Sequence, residues 1–348
     1  MKAVVVQRQG SPVAANIEYR TDYPECPEPQ AGWVQIKTLA SAFNQMDLWV
    51  GRGVPGLQLT YPRVSGCDSC GEVVAVGQGV DKSWLGKRVI TNAALRVPEA
   101  ERPTDPPAST LAPIYELIGE HHDGMFKERF NAPVANVADV GPTMDPAYAA
   151  AFGLCALTAY SMMVTKGNLR PGQSVLITGI GGGVATSALS IARHLACPVV
   201  VTSRHQWKLD KAIQFGASHG VLDTGQDWSK DVRAWTSKRG VDMAVDSSGK
   251  ATHLNCIKSL ARGGAYVTPG CTSGPDATTD LARIFWNQLR VLGSTMGSNA
   301  EFREVAALCK KGALSAVVDT TFDAKDAVKA YQRLEAAEQF GKIVLMWH

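Results

Sequence analysis

SVLITGIGGGVATSALSIARHLACPVVVTSRHQWKLDKAIQFGASHGVLD, residues 174–223, is the stretch whose reading decides the fold. Residues 175–178 form a short apolar run with the length and branching of a buried strand, and the chain then breaks into Gly179, Gly181, Gly182 and Gly183. Val184, Ala188, Ile191, Ala192 and Leu195 recur at helical spacing, and residues 199–202 are a second β-branched run. The order is strand, glycine turn, helix, strand. A glycine turn between a parallel strand and a helix lets backbone approach a diphosphate, whose charge is met by the helix N-terminus. A strict GxGxxG/A frame ending at Ala185 needs glycine at Ile180. Gly182 and Ala185 satisfy its other two positions, and Gly179 points to a turn one residue longer. A glycine cluster alone reads equally as a tight turn; the second strand favours a dinucleotide site.

A chain that prefers NAD carries Asp or Glu about 20 residues after the glycines, accepting from the ribose 2′-hydroxyl. Here the second strand ends in Thr202, Ser203 and Arg204, with Lys208 one turn on. Hydroxyl and cationic donors of that kind suit a 2′-phosphate, so the expectation is NADP(H). The competing reading makes Arg204 and Lys208 solvated surface cations.

The 348 residues exceed most single cores and imply two domains. A hydrophobic share of 45% with 19% charged residues is that of an ordinary globular protein. The net charge of +3 is small and no basic block interleaves with aromatics, so nucleic acid is not indicated. The apolar run at residues 3–6 is too short for a signal-peptide core. The uncharged stretch at 148–164 falls short of the roughly 20 residues that span a bilayer. It reads as a buried helix, and the protein as cytoplasmic with no membrane partner. Eight scattered cysteines without a secretory signal argue for reduced thiols.

Residues 1 to about 95 read as β-rich, with strands at 34–39, 71–77 and 87–90. Residues 96–113, rich in proline and charge, read as a loop, and short strands follow. Asp145 followed by Pro146 is an N-cap with proline at the first helical position, opening an apolar helix through about Val164. Strands at about 220–222, 243–246, 265–269 and 289–293 then alternate with helices, which calls for a parallel sheet covered on both faces. A last helix at 324–337 and a strand at 342–346 are expected to pair back with the first domain. The expected organisation is a nucleotide domain at 131–298 inserted into a second domain made of 1–130 and 299–348.

With these elements placed, the chain resembles the medium-chain dehydrogenase/reductase superfamily over essentially its whole length. Several stretches in the family's order carry the likeness: AFNQMDLWVGRG at 42–53, GCDSCGEVVAVGQGV at 66–80 followed by GKRV at 86–89, ALTAY at 156–160, the glycine turn, and QFGKIVL at 339–345. Within the superfamily it looks most like zinc-type alcohol dehydrogenase-like proteins and the quinone oxidoreductase-like branch. The resemblance implies an α/β fold: a Rossmann domain with a doubly wound parallel sheet, a GroES-like β-rich catalytic domain, and a nicotinamide held between them. By the same analogy, the edge at residues 289–293 implies a homodimer.

Alcohol dehydrogenases of this superfamily hold a catalytic zinc with two cysteines and a histidine. Here the first cysteine's position holds Asn44, the histidine's Cys67 and the second cysteine's Leu154. Cys155 lies one residue on, which on a helix turns its side chain by about 100°. The proton-relay position holds Met46, and the four cysteines of a structural zinc lobe are missing from 96–113. No zinc is expected. Cys67 and Cys70 form a CxxC that reads as two packed thiols, with a redox pair or half a zinc site as alternatives.

Hydride delivered to a simple carbonyl puts full negative charge on one oxygen and calls for a Lewis acid or strong donor. Hydride added to an enone or quinone gives a delocalised enolate or phenolate, so a zinc-less site favours those substrates. The resemblance implies that Thr158 touches the nicotinamide carboxamide and that Lys342 sits near the pyrophosphate. It also implies that Ser247 and Gly270 line the cofactor channel, that Gly181, Gly182, Gly183 and Ala185 cradle phosphate, and that Ser203, Arg204 and Lys208 take the 2′-phosphate. Asn44 is the candidate to hydrogen-bond the substrate oxygen or the nicotinamide ribose. Asp47 is expected to organise its loop through backbone N–H groups. Tyr61 and His121 are candidate proton donors, each with a structural reading beside it, and solvent serves if neither acts. Two other functions stay open: an alcohol or aldehyde dehydrogenase with an unusual zinc set including Cys67 and Asp68, and an NADPH-binding redox-responsive protein without turnover.

Overall fold

The computed structural model describes residues 1–97, 109–112 and 114–348; most of the loop expected at 96–113 lies outside the described residues. The chain divides into two compact units, one of Met1–Cys155, Ser298–Gly312 and Ala316–His348, the other of Ala156–Gly297 and Ala313–Ser315.

The first unit opens with β1 (Ala3–Val6), β2 (Ile17–Arg20) and β3 (Trp33–Ala42), then α1 (Gln45–Arg52), β4 (Arg63–Val64), β5 (Ser69–Val76) and β6 (Arg88–Thr91). It continues through β7 (Ala94–Arg96), β8 (Tyr115–Leu117), β9 (Arg129–Pro133), β10 (Val137–Asp139) and α2 (Pro146–Ala150) to the start of α3 (Gly153–Tyr160). β9 pairs antiparallel with β3 and β10 with β6. These pairings keep residues 131–155 in the first unit, so the expected boundary near residue 131 falls inside it.

The second unit alternates strand and helix: β11 (Val175–Ile177), α4 (Gly183–His194), β12 (Val199–Ser203), α5 (Gln206–Gln214), β13 (His219–Leu222), α6 (Ser229–Trp235), β14 (Val241–Val245), α7 (His253–Ser259), β15 (Leu260–Thr268), α8 (Leu281–Asn287) and β16 (Arg290–Gly293). Its strands are all parallel in the order β13-β12-β11-β14-β15-β16, the doubly wound order whose direction reverses between β11 and β14. Strands buried on both faces need apolar side chains throughout, and Val199, Val200 and Val201 of β12 are wholly buried. Leu176, Val200, Val241 and Tyr266 share one core with Val232 of α6 and Ile257 of α7.

The chain then returns to the first unit through α9 (Asn299–Lys310), β17 (Val318–Asp323), α10 (Ala327–Glu335) and β18 (Lys342–Met346). β18 pairs antiparallel with β3 and parallel with β17, which completes the sheet β10-β6-β5-β3-β18-β17. Tyr331 of α10 packs edge-on against Phe43, which follows β3, and Phe43 against Phe126, so a C-terminal helix closes an N-terminal core.

The helix expected from Pro146 to Val164 is interrupted. Asp145 caps it as its type predicts, its carboxylate accepting from Tyr148 N at 2.9 Å. α2 nevertheless ends at Ala150, α3 restarts at Gly153, and Ser161–Lys166 winds on as a π-helix. The break resets the phase of every side chain after it.

Candidate functional site

In the second unit the turn from β11 to α4 has φ of +59° at Gly179 and +116° at Gly181, conformations that glycine alone adopts without strain. Gly182 is the N-cap of α4 and makes no side-chain cap, and a Cβ there would meet nothing within 4 Å. Gly183 and Ala185 lie in the first turn. An uncapped helix N-terminus entered through glycines is a cradle that accepts phosphate oxygens. Thr158 adds a second mark: its Oγ1 is buried without a hydrogen-bond partner, an orphan that an amide-bearing ligand would satisfy. The residues present fit a dinucleotide.

β12 ends at Ser203, whose Oγ accepts from His205 N at 3.1 Å, and Arg204 is exposed beyond it. Lys208 is not the solvated cation of the competing reading: it is buried, with its ammonium 5.2 Å from the Trp207 ring centroid. Ser247 follows β14 and is half-buried, its carbonyl accepting from Thr272 N at 3.2 Å. Gly270 follows β15, and its carbonyl accepts from Thr268 Oγ1 at 2.8 Å.

Sequence reading missed Asp246. This buried carboxylate accepts from Thr178 Oγ1 at 2.6 Å, Tyr266 OH at 2.9 Å, Thr252 Oγ1 at 2.8 Å and Ser248 N at 3.0 Å. It ties the end of β11 to the loops after β14 and thereby holds the glycine turn's flank.

The first unit holds a different constellation. Asn44 is the N-cap of α1, and its backbone N–H donates to Asp47 Oδ2 at 2.7 Å while Gly66 N donates to Asp47 Oδ1 at 2.8 Å. Burial pushes the Asp47 carboxyl up to about 7, against the opposing pull of the Asn44 N–H, Lys342 and the Gly66 N–H. With both oxygens occupied, Asp47 fixes the loop.

The Asn44 side chain turns instead to buried neighbours. Its Nδ2 donates to Asp68 Oδ2 at 2.8 Å and Cys67 Sγ at 3.2 Å, and its Oδ1 accepts from Lys342 Nζ at 2.6 Å and Cys155 Sγ at 3.1 Å. Lys342 Nζ also donates to Asp68 Oδ2 at 2.8 Å and Cys155 Sγ at 3.6 Å. All five side chains are buried. Desolvation alone would lower the Lys342 amine; the adjacent Asp68 carboxylate reverses it, so its value lies above that of an ordinary lysine and it is charged. Burial pushes both the Cys67 and Cys155 thiols up, keeping them neutral. The cluster is one ammonium and one carboxylate inside a shell of neutral donors.

Several expectations change here. Lys342 is expected near pyrophosphate, but its ammonium is directed into this cluster because Asp68 is the carboxylate that offsets its burial. Asn44 is expected on the substrate or ribose, but its amide has both hydrogens donated and both acceptor positions filled within the unit. Cys155, expected to turn away, joins the cluster, and Leu154 is the half-buried neighbour whose N–H donates to Asp68 Oδ1 at 2.5 Å. Both residues lie within α3, about 100° apart around its axis, and it is the Cys155 side chain that faces Asn44 and Lys342.

Tyr61 donates its hydroxyl proton to Val50 O at 2.5 Å, and His121 Nδ1 accepts from Leu117 N at 3.1 Å, so both side chains support loops of the first unit. Cys67 and Cys70 are buried free thiols, Cys70 pushed up to about 12 by burial.

The donor set does not fit the zinc that the alternative dehydrogenase reading requires. Asn44 replaces a thiolate, an ammonium lies against the remaining donors, and among the described residues no group of three or more His, Cys, Asp or Glu side chains is disposed to hold a metal ion. No helix of the described residues is long and apolar enough to cross a membrane.

Comparison with known proteins agrees with this architecture. Residues 30–142 match the alcohol dehydrogenase GroES-like domain family and residues 183–311 the zinc-binding dehydrogenase family. Zinc-type alcohol dehydrogenase-like protein YogA of Leptosphaeria maculans is 29% identical over 92% of each chain. Acryloyl-coenzyme A reductase of Metallosphaera sedula is 27% identical over 99% of each. A solved structure described as an NAD-dependent alcohol dehydrogenase is 35% identical and superposes with a TM-score of 0.91 over 99% of both chains. With a GroES-like domain, a doubly wound nucleotide domain and full-length structural agreement, the chain belongs to the medium-chain dehydrogenase/reductase superfamily of oxidoreductases.

Proposed function

We propose that this protein is an NADP(H)-dependent reductase of quinones or α,β-unsaturated carbonyl compounds that works without zinc. The observation that carries the reading is the Lys342 ammonium bonded to Asn44, Asp68 and Cys155, where the family's metal ligands would stand. Reduced nicotinamide supplies a hydride. Added to the β-carbon of an enone, hydride leaves an enolate whose charge is shared by carbon and oxygen, so the demand for a Lewis acid is small. The proton that completes the reduction comes from water, since the Tyr61 hydroxyl proton is held by Val50 O. The residues proposed for the cofactor are Thr158, Gly181, Gly182, Gly183, Ala185, Ser203, Arg204, Lys208, Ser247 and Gly270. Lys342 and Asn44 act from within the buried cluster, not on the ligand.

The acryloyl-coenzyme A reductase relative supports enoyl reduction and adds enoyl thioesters to the substrates worth testing. The relative described as NAD-dependent favours the other nucleotide, but the exposed Arg204 after β12 and the absence of an acidic residue there support NADP(H). Eight free cysteines support a reducing, cytoplasmic setting, and we propose a homodimer.

The test is oxidation of NADPH and NADH by metal-free protein with a quinone, an enone and an enoyl-coenzyme A thioester, repeated with added zinc. NADPH-linked turnover indifferent to zinc is expected. Activity that appears only with zinc and only on alcohols or aldehydes would overturn the reading in favour of a dehydrogenase. Tight NADPH binding with no oxidation across the panel would indicate a protein that uses the nucleotide as a ligand.

A further inference from the structure

We propose that the Lys342 ammonium is the resident cation of the first unit and keeps divalent metal from the place it fills among Asn44, Asp68 and Cys155. The inference deepens the metal-independent part of the proposed function; its readout is metal binding, so its failure is distinguishable from failure of the reductase assignment.

Around Nζ of Lys342, an Asn44 oxygen lies at 2.6 Å, an Asp68 oxygen at 2.8 Å and the Cys155 sulfur at 3.6 Å. Two oxygens and one sulfur, from β3's exit, the entry to β5 and the start of α3, are donor types that a borderline-soft divalent ion accepts. The oxygens are at ammonium distance; a metal would draw them in to about 2.0–2.2 Å and sulfur to about 2.3 Å.

Charge explains why the ammonium holds the place. Lys342 with Asp68 is a neutral pair, so the buried shell carries no uncompensated charge as it stands. A divalent ion in the same shell must be balanced by Asp68 and one thiolate, so Cys155 must release its proton to solvent. It must also displace a buried lysine that has no other carboxylate within salt-bridge distance among the described residues. The lysine is delivered by β18, whose first residue is Lys342 and whose pairing with β3 fixes its height relative to Asn44. Asp68 is in turn held by Leu154 N at 2.5 Å and Asn44 Nδ2 at 2.8 Å, so the shell persists when Nζ is taken away.

The test titrates full-length protein in a Cys271→Ser background with cobalt(II) chloride and follows sulfur-to-cobalt charge-transfer absorption. Wild-type protein is expected to show none. Lys342→Ala is expected to bind one cobalt at least tenfold more tightly than wild type, with a sulfur band, and Lys342→Ala combined with Asp68→Asn to lose it. A sulfur–cobalt band in the wild type, or a folded Lys342→Ala protein without one, would overturn the proposal. If Lys342→Ala does not fold alone, refolding with cobalt or zinc decides. Rescue by these ions and not by magnesium supports the proposal, and no rescue sinks it.

Discussion

Gly153 shows how tightly single residues define the buried cluster. A Cβ built on it would lie 2.0 Å from Asp68 Oδ1, an oxygen already occupied by Leu154 N, on a carboxylate whose other oxygen holds Asn44 and Lys342. Its glycine is required by close approach, not by backbone angle. Gly153→Ala is therefore expected to lower unfolding free energy by about 1–3 kcal/mol, the usual cost of overpacking a site that cannot yield. The same change at Gly293, where nothing lies within 4 Å, is expected to leave stability nearly unchanged. Urea unfolding of the two variants checks this, and equal midpoints would show that Asp68 is free to move. The cluster was legible only in part from sequence. Asn44 and Cys67 stand at motif positions and were singled out from them. Lys342 is 298 positions from Asn44, and no local pattern reveals that a strand at the C-terminus delivers its amine there. Cys155 is one residue past the motif position at Leu154, and only the packing of α3 shows that Cys155 is the one that faces the cluster.

At the scale of elements, the strand–turn–helix units of the second unit were readable because their signals are local: β-branched runs, glycines with positive φ, and apolar spacing along α4. β11, β12 and β18 fall within a residue of the runs that announced them. What escaped was the carboxylate between elements. Asp246 follows an apolar strand and reads as a strand end, and its four-way anchoring of Thr178, Ser248, Thr252 and Tyr266 depends on parallel pairing that no single segment encodes. The turn between β12 and α5 carries the nucleotide prediction. Arg204 is exposed at the end of β12, so replacing it removes a donor without disturbing the core. Arg204→Glu is expected to weaken NADPH by about 1.5–3 kcal/mol, roughly ten- to hundredfold, through loss of a charge-assisted hydrogen bond, and to leave NADH within a few-fold. Fluorescence titration with both nucleotides measures it. Equal losses would remove Arg204 from the 2′-phosphate site and return the nucleotide preference to the open question.

At the scale of the whole molecule, the parallel sheet ends at β16, which pairs with β15 on one side only among the described strands. An open edge beside apolar surface is an invitation to a second copy. The preceding helix supplies that surface: Leu281, Phe285 and Trp286 are 71%, 70% and 69% exposed, and Val291 on β16 itself is 49% exposed. Large hydrophobes at such exposure on consecutive elements carry a solvation cost that burial against an identical patch would remove at about 25 cal/mol per Å². A two-fold axis beside β16 would set the strand antiparallel to its copy and bring each α8 against the partner subunit, a self-complementary contact of the kind closed dimers use. The expected outcome is a dimer at micromolar concentration by sedimentation equilibrium, shifted to monomer by Trp286→Glu together with Leu281→Glu, with circular dichroism unchanged because neither side chain belongs to the core. A wild-type monomer at that concentration would sink the dimer. A variant that stays dimeric would move the interface away from α8 and leave those aromatic residues to be covered by something else.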